Sequence, residues 1–87
     1  MKLTIITPDQ PVFEGDIISV TVPGTAGAFE VLENHAPIVS TLERGKVIVR
    51  TGKGEEVIDI IGGVVEVIHN NVTVLAEGIS EKPKASN

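Results

Sequence analysis

The sequence predicts an all-β domain, an antiparallel two-sheet sandwich or flattened barrel of about eight to ten short strands. Three observations carry that prediction. The apolar residues are chiefly 13 Val and 11 Ile, against four Leu and five Ala, and β-branched side chains fit a pleated sheet better than a helix. Those residues fall in runs of four to six, in several of which apolar and polar positions alternate. The runs are separated by Pro, Gly and Asn at the spacing expected of successive strand turns. A chain of 87 residues holds a single core, placed over residues 1–78, with residues 79–87 read as a frayed polar tail.

Leu3-Thr4-Ile5-Ile6-Thr7 opens as a strand, and Pro8-Asp9-Gln10-Pro11 ends it because proline offers no ladder N–H. Val12 to Asp16 is a brief extended piece. Ile18, Val20 and Val22 then alternate with Ile17, Ser19 and Thr21 until Pro23-Gly24, which predicts one half-buried strand. Gly24-Thr25-Ala26-Gly27 reads as a flexible loop, Ala28 to Leu32 as a short strand, and Glu33-Asn34-His35 as a turn, with Pro37 holding Ala36 extended. Ile38 to Leu42 and Lys46 to Arg50 are strands on either side of Glu43-Arg44-Gly45. Thr51-Gly52-Lys53-Gly54 connects to Val57-Ile58-Asp59-Ile60-Ile61, and Gly62-Gly63 leads into Val64 to Ile68. Asn70-Asn71 is the expected hairpin turn before Val72-Thr73-Val74-Leu75, since asparagine tolerates a left-handed backbone. His69 is then a strand-end residue. No segment reads as a helix.

Composition excludes several classes of function. Without cysteine the chain has no disulfide frame, thiolate metal site or cysteine nucleophile, and a reducing, cytosolic setting is expected. A formal charge of -5 repels phosphate backbones, so nucleic acid is not an expected partner. No apolar run reaches the roughly 18 residues of a membrane span, and Met1-Lys2-Leu3 leads straight into strand sequence, so neither a leader nor membrane insertion is expected.

Little in the sequence resembles a catalytic set. His35 and His69 are the only imidazoles, and no metal-ligand spacing joins His35 to Glu30 or Glu33. Ser19, Ser40, Ser80 and Ser86 lie in no nucleophile-elbow sequence. Gly52-Lys53-Gly54 lacks the full spacing and the following helix of a phosphate loop, and reads as a polar hairpin tip. Glu55 and Glu56 point to opposite faces of a strand and form no acid–base pair. No catalytic residue, metal or cofactor is expected. The feature that stands out is that several strands are apolar on both faces: Ile58 and Ile60 oppose Val57 and Ile61, Val64 and Ile68 oppose Val65 and Val67, and Ile48 opposes Val47 and Val49. One sandwich core uses only one face of each sheet, so the remainder lies either under loops or in a patch that another protein covers.

The ordered motifs add a resemblance. Val12-Phe13-Glu14-Gly15-Asp16, Val22-Pro23-Gly24-Thr25-Ala26-Gly27-Ala28-Phe29, Asn34-His35-Ala36-Pro37-Ile38, Leu42 to Gly45, Gly62-Gly63 with Val67, and Asn71-Val72-Thr73-Val74-Leu75 follow one another along the chain. Together they resemble the N-terminal domain of the epsilon subunit of F-type ATP synthases. The resemblance implies two packed antiparallel sheets in a non-catalytic central-stalk subunit. Its partners would be the gamma subunit and the rotor ring, at the cytoplasmic face of an energy-transducing membrane. It places Thr7, His35, Ala36, Pro37 and Val39 against gamma. Ala26, Gly27, Ala28, Phe29 and Glu30 would form the loop facing the rotor ring. Many family members continue into a helical hairpin that brakes ATP hydrolysis and in some cases binds ATP. No such segment lies within these 87 residues, so neither property is carried over.

Two other readings of the residues stand beside this one. A small metal- or carbohydrate-binding sandwich would use His35, Glu30 and Glu33, though with Phe13 and Phe29 as its only aromatics it lacks a sugar-stacking surface. A homo-oligomeric structural domain would pair its own apolar face.

Overall fold

A computed structural model describes residues 1–80. Nine strands form two sheets, with no helix among the described residues. They are β1 (Lys2–Ile6), β2 (Pro11–Asp16), β3 (Ser19–Val22), β4 (Phe29–Leu32), β5 (Ile38–Leu42), β6 (Gly45–Thr51), β7 (Gly54–Ile60), β8 (Gly63–Ile68) and β9 (Asn71–Ala76). One sheet has five strands in the order β2-β1-β9-β8-β5, and the other has four in the order β4-β3-β6-β7. The fold is therefore an open sandwich and not a closed barrel.

Each sheet turns its β-branched face inward. Leu3, Ile5, Val65, Val67, Val72 and Val74 of the five-stranded sheet meet Val20, Val22, Val31, Val47, Val49 and Ile60 of the other, and all twelve are at most 1% exposed. Their spacing of two along each strand is the pleat repeat. Burying side chains of this size contributes on the order of 1.5–3 kcal/mol each, which makes this layer the main support of the fold.

Three expectations need correction. Ile18 does not share a face with Val20 and Val22, because the chain changes sheets there. Ile17 N–H donates to the Met1 carbonyl at 2.8 Å, whereas Ile18 N–H donates to the Arg50 carbonyl at 2.7 Å, one residue serving each sheet. The step breaks the alternation, so Ile17 is buried and Ile18 is 60% exposed. The β8–β9 hairpin turns on His69 and Asn70 and not on Asn70-Asn71. Ile68 and Asn71 are paired, and the two residues between them have φ of 50° and 61°, the left-handed pair of a type I′ turn. One strand pair is parallel: β1 lies alongside β9. These first and last strands are joined by no hairpin, so nothing in the connection forces them antiparallel.

Gly52 and Lys53 form a two-residue hairpin tip between the paired residues Thr51 and Gly54, as expected. Past residue 78, Ile79 bridges to Ile60 and Ser80 N–H donates to the Asp59 carbonyl at 2.8 Å. The remainder of the expected tail lies outside the described residues.

Candidate functional site

The register of the five-stranded sheet sorts the sequence-derived residues by end. β1, β9 and β5 run in one direction and β8 in the other. The beginnings of β1, β9 and β5 therefore lie at one end of the sheet, together with the turn of residues 33–37 and the His69–Asn70 hairpin tip. Their far ends lie at the other, with Thr7 and the loop of residues 24–28. His35, Ala36, Pro37 and Val39 come together at the first end. Thr7 does not join them, and it stands three strand spacings, about 14 Å, across the sheet from β5.

What connects them is the outer face of the sheet. Ile6, Leu75, Val64 and Thr41 are consecutive cross-strand partners in one row, facing away from the core because Ile5, Val74, Val65 and Leu42 face into it. Leu75 is 50% exposed and Val39, two residues before Thr41 on the same face, is 70% exposed. Diagonal neighbours on a sheet face lie roughly 7–8 Å apart, within reach of branched side chains. The result is an apolar stripe from Val39 through Val64 and Leu75 to Ile6, ending in a hollow of about 240 Å³ lined by Ile6, Thr7, Pro8, Leu75 and Ala76. Leu75 and Ile6 were not singled out from the sequence. The alternation of Thr73 and Leu75 against Val72 and Val74 was the available signal. Thr7 itself closes the following turn, with Oγ1 donating to the Gln10 carbonyl at 3.0 Å and accepting from Gln10 N–H at 3.2 Å.

At the first end, the turn after β4 is fastened to the β8–β9 hairpin. Asn34 N–H donates to Asn70 Oδ1 at 2.6 Å, and Asn70 Nδ2 donates to Asn34 Oδ1 at 3.0 Å. A backbone N–H can only donate, so this contact fixes which end of the Asn70 amide is oxygen. His35 Nδ1 lies 2.7 Å from the Ala36 carbonyl, which can only accept, so Nδ1 carries the proton in this contact. Asn34, His35, Ala36, Pro37, His69 and Asn70 line an open cleft of about 490 Å³, and Ala36 and Pro37 are exposed at its edge.

At the opposite end, the loop read as flexible is pinned. Gly27 N–H closes a turn on the Gly24 carbonyl at 2.9 Å, and Thr25 N–H donates to the Thr41 carbonyl at 3.0 Å. The Thr25 and Thr41 hydroxyls are 2.8 Å apart. These bonds lay the loop against the free edge of β5, leaving Ala26, Gly27 and Ala28 exposed at the tip. Phe29 packs against the core from its base. Glu30 points outward on β4 and pairs with Arg50 at 3.6 Å. Arg50 also meets Glu55 at 3.7 Å and donates to Thr21 Oγ1 at 3.2 Å.

The rival metal set is not brought together. Glu30 belongs to the Arg50 cluster, His35 to the amide cleft, and among the described residues no group of three His, Cys, Asp or Glu side chains converges to hold a metal ion.

The nine strands in two open sheets define a class of small β-sandwich domain. The chain belongs to the family of ATP synthase delta/epsilon chain beta-sandwich domains, whose family model matches residues 1–82. An ATP synthase epsilon chain of Caulobacter vibrioides is 40% identical over 77 residues, which cover 88% of this chain and 90% of the relative. An ATP synthase epsilon chain of Leptospira interrogans is 36% identical over 77 residues, again 88% of this chain but only 61% of the relative. The chain thus spans about three fifths of the length of that longer relative. In solved structures, a chain in the Euglena gracilis mitochondrial ATP synthase (OSCP/F1/c-ring) superposes with a TM-score of 0.82 at 22% identity. The match covers 90% of this chain and 51% of that one. A chain in the central stalk/c-ring structure of the Tetrahymena thermophila mitochondrial ATP synthase gives 0.80 at 15% identity, covering 92% and 65%. At these identities the superpositions establish the shared sandwich fold.

Proposed function

We propose that this chain is a non-catalytic central-stalk subunit of a proton-transporting F-type ATP synthase, coupling the gamma subunit to the membrane rotor ring. The observation that carries the reading is the outer-face stripe of the five-stranded sheet in which exposed Val39 and Leu75 join half-buried Val64 and Ile6. It is apolar, continuous from strand to strand, and unused by the core. In this reading gamma covers the stripe, with Ala36 and Pro37 at one extremity and Thr7 at the other. Ala26, Gly27, Ala28, Phe29 and Glu30 meet the polar loops of the ring, where the acidic surface of this chain suits basic groups. The subunit sits peripherally on the cytoplasmic side of the membrane, carried by its partners.

The test is titration of the chain with the gamma subunit of its own organism, comparing wild type with Ala36→Asp. A charge placed in a desolvated contact should lower the affinity by more than tenfold, while the melting temperature of the free chain changes little because Ala36 is exposed. If the wild-type chain ignores gamma and sediments as a dimer, the apolar face serves self-association and the reading fails.

A further inference from the structure

We propose that Asn70 is a positioning residue for the gamma-facing turn, and that the His69–Asn70 hairpin tip belongs to the same docking surface as His35, Ala36 and Pro37. This inference rests on the gamma reading above. Three observations support it.

The first is an asymmetry in how the two loops are held. Asn70 is tied to the sheet by its backbone, its carbonyl accepting from Lys2 N–H at 2.9 Å, and it stands in a two-residue turn whose flanking strands are paired up to Ile68 and Asn71. The stretch of residues 33–37 instead crosses from the edge strand of one sheet to the edge strand of the other. His35 N–H donates to the Leu32 carbonyl at 3.1 Å, a bond back to the end of β4 that gives the turn no hold on β5 or β8. The reciprocal amide contact between Asn34 and Asn70 is therefore the tie that sets the turn of residues 33–37 against the paired hairpin.

The second is conformational. Asn34 has φ of 67° and Asn70 of 61°, a region that L residues other than asparagine and glycine enter at a cost. Both members of the pair are the residue type that accepts this backbone and also supplies a donor and an acceptor for the contact. The third is geometric. The amide pair lies in the same cleft as His35, Ala36, Pro37 and His69, so the two loops present one continuous surface. A docking loop already held in its bound shape loses less freedom on association, which raises affinity without a new contact.

Glycine is the informative replacement, since it removes the amide, leaves the left-handed backbone accessible and adds only backbone freedom, which loosens the turn in the same direction. Affinity for gamma is measured at 25 °C for the full chain, for Asn70→Gly, for Asn34→Gly and for the double variant. Asn70→Gly loses both hydrogen bonds and should bind at least fivefold more weakly. Asn34→Gly keeps its backbone N–H to Asn70 Oδ1 and loses only the bond from Asn70 Nδ2, so its loss should be smaller. The double variant should bind no more weakly than Asn70→Gly. The loss is not an indirect effect of stability, since a domain of ordinary stability weakened by one hydrogen-bonded contact is still almost wholly folded at that temperature. Affinity within twofold of wild type for Asn70→Gly would overturn the proposal while leaving the gamma reading intact. So would single losses that multiply in the double variant. A wild-type chain that does not bind gamma removes both.

Discussion

Gly24 lies beneath the ring of Phe29: a Cβ added at Gly24 would stand 2.9 Å from Phe29 Cε1 and 2.7 Å from the carbonyl oxygen of Gly27. The loop proposed to meet the rotor ring is thus folded down onto its own anchor. Gly24→Ala should force the turn away from Phe29 and cost about 1–3 kcal/mol. Gly27 has open space around its Cβ position but φ of 131°, so Gly27→Ala strains the backbone without displacing the ring. Urea unfolding of both variants, with amide chemical shifts for residues 24–29, separates the two effects. Undisturbed shifts in Gly24→Ala would show that the packing has slack.

Leu75→Asp places a charge midway along the outer stripe without touching the core, since Leu75 is 50% exposed. Gamma binding is expected to fall by at least tenfold, with the free chain's melting temperature within a few degrees of wild type. A large loss of stability with unchanged affinity would mean that the stripe supports the fold and not an interface.

Ile5 is fully buried and pairs with both Phe13 and Val74 across the neighbouring strands. Ile5→Ala should destabilise the domain by about 2–5 kcal/mol through lost burial and the cavity left behind. Equilibrium denaturation reads this directly. Because the domain is small, a loss at the upper end would leave a visible unfolded fraction at 25 °C.

His69 holds φ of 50° at the first corner of its hairpin, a left-handed backbone that glycine adopts at less cost than any residue with a Cβ. His69→Gly should raise stability by about 0.5–1 kcal/mol by relieving that strain. If affinity for gamma falls as stability rises, the imidazole contributes to docking, which the glycine variants of Asn34 and Asn70 do not report.

The sheet faces were legible in the sequence because each strand carries its own record of the core. β5 matches its expected span of Ile38–Leu42, fenced by Pro37 on one side and by Glu43-Arg44-Gly45 on the other. The doubled apolar faces were legible too, with Val57 49% and Ile68 42% exposed opposite buried neighbours. Less accessible was anything that depends on which strands become neighbours. Ile18 lost its predicted face because a change of sheet interrupts the alternation between it and Val20. Thr7 and His35 share a proposed partner yet occupy opposite ends of one sheet, a separation set by the parallel placement of β1 beside β9. The Asn34–Asn70 contact joins residues 36 apart, and no local pattern announces it. His69 escaped as a turn residue because Asn70-Asn71 offered the better left-handed pair on local preference, while the register of Ile68 with Asn71 decided otherwise.

The proposed ring loop sits at one end of β4 and β5, on the same side as Thr7, and the turn of His35, Ala36 and Pro37 sits at the other end. The part of a load passed from the ring to that turn would run along the strand axis. Ladder hydrogen bonds lie across that axis, so such a load meets them in shear, and the five residues of β5 paired to β8 resist together. Pulling across the sheet would open them one after another. The orientation of the sandwich between its two ends therefore favours stiffness over give, as a mechanical spacer requires.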